Sequence, residues 1–147
     1  MAQDMQRDTL EGRLRSAQLK VTAPRLAVLG VLSGHGHFDA ETVFSSVSAA
    51  LPKTSLQAVY GVLSALVTAG LVRKIEPAGS PALYEARVGD NHHHLVCLGC
   101  KAVEDVDCAV GESPCLTPSN TNGFAIRTAE VTFWGLCSTC QEATASA

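Results

Sequence analysis

Apolar residues recur at helical spacing through the first half of the chain and in strand-like runs through the second. Leu10 and Leu14, with Arg13 and Arg15 on other faces, predict a short basic helix from Asp8 to Gln18. In Thr22-Ala-Pro-Arg25 a hydroxyl precedes a proline tolerated in a first helical turn. The pattern Leu26, Val28, Leu29, Val31, Leu32 then runs to a stop at Gly34 and Gly36. Asp39 caps a third predicted helix carrying Val43, Phe44 and Val47, closed by Leu51-Pro52. Ser55 caps a fourth, with Leu56, Val59, Leu63, Leu66 and Val67 in one stripe and Gly70 at its C-terminal end. Its opposite stripe, Gln57, Gly61, Ser64 and Thr68, is small and polar.

Two helices joined by a short turn, the second polar outside, match a helix-turn-helix. Val72–Glu76 and Pro81–Ala86 flank Pro77-Ala-Gly-Ser80 and read as a β-hairpin, the wing of a winged helix. The same pattern also suits an ordinary helical bundle with a hairpin lid. Farther on, residues 90–98 and 101–107 are strand-like arms around Gly99-Cys100, and residues 124–134 form a third strand-like run. Residues 111–123 read as a loop or short irregular helix. The rear half is thus a small, mostly β unit with little apolar mass of its own.

With 147 residues, 46% hydrophobic and 17% charged, the chain suits a packed globular protein and excludes disordered or collagen-like classes. The net charge of −3 hides an asymmetry: residues 1–87 carry +2 and residues 88–147 carry −5. We therefore expect a polyanion-binding domain over 1–87, a hinge near 86–91 and a second domain over 88–147. The nineteen residues Thr54–Val72 are uncharged, but Thr54, Ser55, Gln57, Tyr60, Ser64 and Thr68 punctuate them, so no membrane partner is expected. Met1–Asp8 has no apolar run, so a cytoplasmic protein is expected, in which six cysteines serve as metal ligands or redox groups rather than structural disulfides.

Cys97-Leu-Gly-Cys100 and Cys137-Ser-Thr-Cys140 are two C-x-x-C knuckles, the spacing that puts two thiolates at adjacent corners of a tetrahedron. Together they supply all four ligands of a structural Zn²⁺ and leave no open position for chemistry; two disulfides or separate redox dithiols are the alternatives. The five histidines fall at His35/His37 and His92/His93/His94. His92 and His94 share one face of a predicted strand, Glu85 ends the wing, and Asp105 lies on the arm expected to pair back. His37, Glu85, His92 and His94, with Asp105 as a fifth, form a mixed nitrogen and oxygen set suited to Fe²⁺, Mn²⁺, Zn²⁺ or Ni²⁺. Solvated loop histidines are the other reading. Cys108 and Cys115 lie outside both knuckles, and we read them as a possible redox pair or as two small buried thiols.

At this point the chain resembles the ferric uptake regulator family of metal-dependent repressors. The resemblance rests on Leu19-Lys-Val-Thr-Ala-Pro-Arg25, His37-Phe-Asp-Ala-Glu41, Ser55-Leu-Gln-Ala-Val-Tyr60, Ala69-Gly-Leu71, Tyr84-Glu85, His92-His-His-Leu-Val-Cys97 and both knuckles. Asp105-Val-Asp-Cys-Ala-Val-Gly111 and Ala129-Glu-Val-Thr-Phe-Trp-Gly135 look more narrowly like its actinobacterial branch, which represses catalase-peroxidase. The resemblance implies an α+β protein: an N-terminal winged helix-turn-helix domain and a small α/β C-terminal dimerisation domain stapled by structural zinc. It implies His37, Glu85, His92 and His94 as regulatory ligands for Fe²⁺ or Mn²⁺, Zn²⁺ or Ni²⁺ being alternatives, with Asp105 as the extra carboxylate of peroxide-sensing members. The expected partners are a second copy of the chain and a palindromic double-stranded operator, with no small-molecule substrate. Ser55, Gln57 and Tyr60 would face the groove, and Lys20, Arg25, Arg13 and Arg15 the DNA backbone or minor groove. Gly61 stands where the family commonly has arginine. Asn91 and Ala129 stand where an additional dimer-domain metal site has histidines, so no strong binding is expected there.

The expected function is a metal-dependent, redox-responsive repressor of catalase-peroxidase and its own gene, or else an iron, zinc or nickel homeostasis regulator without peroxide sensing. A metallo-hydrolase or oxidoreductase would need a general-base motif, nucleophile elbow or cofactor loop, and none is present, so no enzyme is expected. A zinc-ribbon interaction module is the third class; DNA binding that vanishes on chelating the weaker metal separates the repressor from both.

Overall fold

The computed structural model describes residues 2–108 and 116–146. It divides into two compact units, Met1–Val88 and Gly89–Ala147, with Gly89 at a φ of +81° that suits a residue without Cβ. The fold is α+β, as expected.

The first unit runs α1 (Ala2–Ser16), α2 (Ala23–Leu32), β1 (Phe38–Asp39), α3 (Ala40–Ala50), α4 (Leu56–Thr68), β2 (Arg73–Ile75) and β3 (Leu83–Glu85). All three expected caps form: the side chains of Thr22, Asp39 and Ser55 accept from the backbone N–H groups of Arg25, Thr42 and Ala58. Helix α4 ends in a Schellman motif. Gly70, at φ +72°, donates to the Val67 carbonyl and Leu71 to the Leu66 carbonyl. Leu14, Leu29, Leu32, Val43, Val59, Leu63 and Leu66 are fully buried in one core, each contributing on the order of 1.5–3 kcal/mol of transfer free energy. That core fixes α3 and α4 as a helix-turn-helix and leaves Gln57, Gly61, Ser64 and Thr68 exposed.

Two expectations needed correction in this unit. Helix α1 begins at Ala2 rather than Asp8, because its early residues are polar and leave no apolar period to mark the start. It ends at Ser16, where Gln18 takes φ 59° and Leu19 donates to the Leu14 carbonyl. The hairpin β2–β3 forms with Arg73 opposite Glu85, but it gains a third strand, β1, in the order β1-β3-β2. Two residues are too few for a period-2 signal.

The second unit contains β4 (His92–Cys97), β5 (Val103–Asp107), β6 (Thr132–Gly135) and α5 (Ser138–Ala145). β4 is central, antiparallel to β5 and parallel to β6. Of the strand-like run over 124–134 only the last three residues stay in a strand, which extends to Gly135 and lies beside His94–Cys97. Helix α5 was not expected. Its signal is Gln141-Glu142-Ala143, good helix formers directly after the second knuckle. Among the described residues no helix is long and apolar enough to cross a membrane.

Candidate metal centres and nucleic-acid face

The ladder that holds β1 on β3 pairs Phe38 with Tyr84, so His37 is the next residue in register with Glu85. On the other side of Glu85, in β2, stands Arg73. His37 Nε2 lies 2.9 Å from Glu85 Oε2, and Arg73 Nε lies 3.8 Å from Glu85 Oε1. The His37 and Glu85 side chains are only 4% and 2% exposed. A carboxylate so far from water needs positive or hydrogen-bonded partners, and an imidazole nitrogen beside a carboxylate oxygen is a donor pair suited to a divalent cation.

In the second unit the β4–β5 register sets His94 opposite Asp105 and His92 opposite Asp107. Cross-strand partners share a face, so His92, His94 and Asp105 face together while His93 points the other way. His94 Nε2 is 3.5 Å and His92 Nε2 3.6 Å from Asp105 Oδ1. His92 also presents Nδ1 to Asp90 Oδ1 at 2.6 Å. Sequence reasoning missed Asp90 and Arg73; Asp90 sits two positions before His92, the period of a strand face, and Arg73 emerges only from the hairpin register.

The four sulfurs of Cys97, Cys100, Cys137 and Cys140 lie within 4.8 Å of one another. The first knuckle is the β4–β5 turn, in which Lys101 donates to the Cys97 carbonyl. The second is the start of α5, with Cys137 at its N-cap. A Cβ on Gly99 would come 2.9 Å from Cys140 Sγ, so the close approach of the knuckles requires glycine there. Backbone N–H groups of Cys137, Cys100 and Gly99 aim at the Cys97 sulfur and hold its thiol down at about 6, although burial opposes them. The sulfurs of Cys137, Cys97 and Cys100 share the last proton with Cys140 and push it up to about 12. The thiolate form is thus favoured at Cys97 and the thiol form at Cys140, whose proton a tetrahedral Zn²⁺ would displace on binding. The tetrathiolate set fits structural zinc.

Along α4, Tyr60 is 45% exposed and Gln57 is exposed, whereas the Ser55 hydroxyl already caps the helix. Lys20 is exposed and its carbonyl accepts from Arg25 Nη1 at 2.9 Å. Arg15 pairs with Glu11 at 2.7 Å. Arg13 is half-buried and donates inward, to Ser33 Oγ and to the Leu71 carbonyl, both at 3.3 Å. Cys108 is half-buried, and Cys115 lies outside the described residues.

The family model for the ferric uptake regulator family matches residues 16–134. The chain belongs to that family. Transcriptional regulator FurA of Mycobacterium tuberculosis (strain ATCC 25618 / H37Rv) is 61% identical over 128 residues, 87% of this chain and 87% of that protein. Ferric uptake regulation protein 1 of Mycolicibacterium fortuitum is 53% identical over 131 residues, 89% of this chain and 81% of that protein. Among solved structures, the ferric uptake regulator from Pseudomonas aeruginosa with manganese is similar at a TM-score of 0.66 and 27% identity, covering 88% of this chain and 98% of that one. The chain therefore falls in the actinobacterial FurA branch, among metal-dependent transcriptional regulators. Gly61 lies on the exposed stripe of α4, and nothing lies within 4 Å of where its Cβ would be.

Proposed function

We propose that this ferric uptake regulator family member is a cytoplasmic, redox-responsive repressor that binds palindromic operator DNA as a homodimer. In this reading residues 1–87 are the DNA-binding domain, 88–147 the dimerisation domain and 86–91 the hinge. The observation that carries it is the division of the nitrogen and carboxylate ligands: the buried side chains of His37 and Glu85 belong to the first unit, and the buried His92 and His94, with the exposed Asp105, to the second. When bound, Fe²⁺ or Mn²⁺ (or Zn²⁺ or Ni²⁺) supplies one positive centre for both sets. The two sets then restrict the hinge and favour the arrangement in which two α4 helices meet successive major-groove half-sites. Tyr60, Gln57 and Ser55 read base edges, while Lys20, Arg25 and Arg15 meet phosphates. Arg13 supports that surface from inside, through Ser33 and Leu71. Homodimerisation is supported by the half-exposed Leu95, Leu98, Phe133, Trp134 and Leu136, and by the exposed edge strand β6.

The finer reading is control of catalase-peroxidase and of the protein's own gene in response to peroxide, which would reach an iron-loaded site and oxidise His37 or His92. Its support is the donor set itself, nitrogen and carboxylate ligands that suit Fe²⁺. Cys108 and Cys115 are the thiol route to the same response. The test is to treat iron-loaded and zinc-loaded protein with equal peroxide, then map added oxygen and new disulfides by mass spectrometry beside an operator-binding assay. Oxygen confined to His37 or His92 in the iron form, with loss of DNA binding, is the expected result. A Cys108–Cys115 link in both forms moves sensing to the thiols. Intact protein that still binds DNA leaves a metal-homeostasis regulator.

A further inference from the structure

Glu85 occupies the middle of a three-residue row across the sheet β1-β3-β2. His37 stands next in register on one side and Arg73 directly opposite on the other. The carboxylate is only 1% exposed as a whole residue, yet each oxygen has a nitrogen beside it, His37 Nε2 at 2.9 Å and Arg73 Nε at 3.8 Å. The next cation along β2, Lys74, is directed to Glu76 at 2.9 Å. Arg73 therefore brings a permanent charge against the buried carboxylate, because guanidinium does not lose its proton in proteins.

We propose that Arg73 is a built-in competitor for the Glu85 carboxylate, a fixed cation that a divalent metal must displace and that sets the metal concentration to which the regulator responds. The inference rests on the reading of Glu85 as a regulatory ligand. A carboxylate taken out of water is strongly disfavoured without a counter-charge, and in the metal-free protein the guanidinium supplies one. A divalent cation entering beside His37 and Glu85 replaces that attraction and meets the guanidinium as a like charge at short range. Both effects weaken metal binding relative to a chain with a neutral residue at this position. Metal-free stability and metal threshold are thereby linked: what holds the empty pair together is what an incoming cation must overcome. If Arg73 served only to orient the carboxylate, its removal would weaken metal binding instead, so the two roles predict opposite signs.

The test uses the full chain with its cysteine-bound zinc retained. Mn²⁺ affinity is measured without DNA, by competition with a chelating dye, for the parent, Arg73→Met, Arg73→Gln and Arg73→Lys. Thermal unfolding is recorded with and without Mn²⁺. Arg73→Met and Arg73→Gln are expected to bind Mn²⁺ about tenfold more tightly, with a lowered Tm in the Mn²⁺-free state and a near-parental Tm in the loaded state. Arg73→Lys, which keeps the charge, is expected to stay near the parent. Should Arg73→Met not fold, Arg73→Gln carries the same sign. Mn²⁺ affinity equal to or weaker than the parent in the neutral variants overturns the proposal. Glu85→Gln separates this failure from that of the underlying reading: it abolishes Mn²⁺ binding if Glu85 is a ligand, and unchanged affinity there removes both.

Discussion

Asp90 places Oδ1 2.6 Å from Nδ1 of His92, and the His92 Nε2 on the far side of the ring lies 3.6 Å from Asp105. A carboxylate at that distance takes the Nδ1–H as its hydrogen-bond donor. The imidazole is then held in the tautomer whose Nε2 lone pair faces the Asp105 side. A carboxylate behind a histidine is the arrangement that orients a metal-binding ring and raises its basicity.

Replacing Asp90 with alanine is therefore expected to weaken binding of the regulatory metal by about 10- to 100-fold while leaving the cysteine-bound zinc in place. Asp90→Asn, whose side-chain oxygen still accepts, should lose less. Chelator-competition titration with Mn²⁺, alongside zinc analysis of the same samples, checks both. An alanine variant with parental Mn²⁺ affinity would mean that the β4 backbone alone fixes His92.

The cysteine cluster makes a separate prediction through Gly99. A methyl group there would sit 2.9 Å from Cys140 Sγ, so Gly99→Ala must push the knuckles apart. We expect it to lower zinc affinity without removing a ligand, and Cys137→Ser to lose zinc together with the dimer, since among the described residues the second unit has few buried apolar side chains to hold it otherwise. Zinc content and sedimentation of each variant decide it; a zinc-replete dimer of Cys137→Ser would overturn the staple.

Much of this architecture was legible because it rests on local chemistry. Thr22, Asp39 and Ser55 announce helix starts through side-chain oxygens three residues ahead of a free N–H, and each caps as read. The knuckle spacing and the strand face shared by His92 and His94 are equally local. The juxtaposition of His37 with Glu85 is not, because it depends on the two-residue strand β1 pairing Phe38 with Tyr84 of β3 across 45 intervening positions. Arg73 and Asp90 stayed hidden for the same reason: a register or a rotamer, rather than a motif, gives them their partners. The helix α5 was missed because the two cysteines around its start drew the segment into a knuckle.

Arg13 and Lys20 should part company when each is replaced by alanine. Arg13 donates two internal hydrogen bonds from a charged group, so Arg13→Ala is expected to lower unfolding stability by about 1–3 kcal/mol while leaving the salt dependence of DNA binding unchanged. Lys20 is exposed, and Lys20→Ala should weaken binding to all sequences alike and reduce the salt slope by about one unit. Tyr60→Ala should reduce preference for the operator over random DNA. Denaturant unfolding paired with anisotropy titrations at several salt concentrations measures all three, and a stability-neutral Arg13→Ala with a smaller salt slope would return Arg13 to the DNA face.

Gly61 carries the last prediction. It lies inside α4 on the exposed stripe, with open space where a side chain would project and no positive φ to require glycine. A glycine in a helix interior costs roughly 0.5–1 kcal/mol relative to alanine, so Gly61→Ala should stabilise the protein by about that amount. Stability alone does not test the face, but charge does. Gly61→Arg adds a cation one residue beyond Tyr60 and is expected to tighten operator binding and steepen its salt dependence by about one unit. If that stripe faces away from DNA, Gly61→Arg will raise stability much as alanine does and leave the salt slope untouched, and the groove-facing assignment of Gln57 and Tyr60 would fall with it.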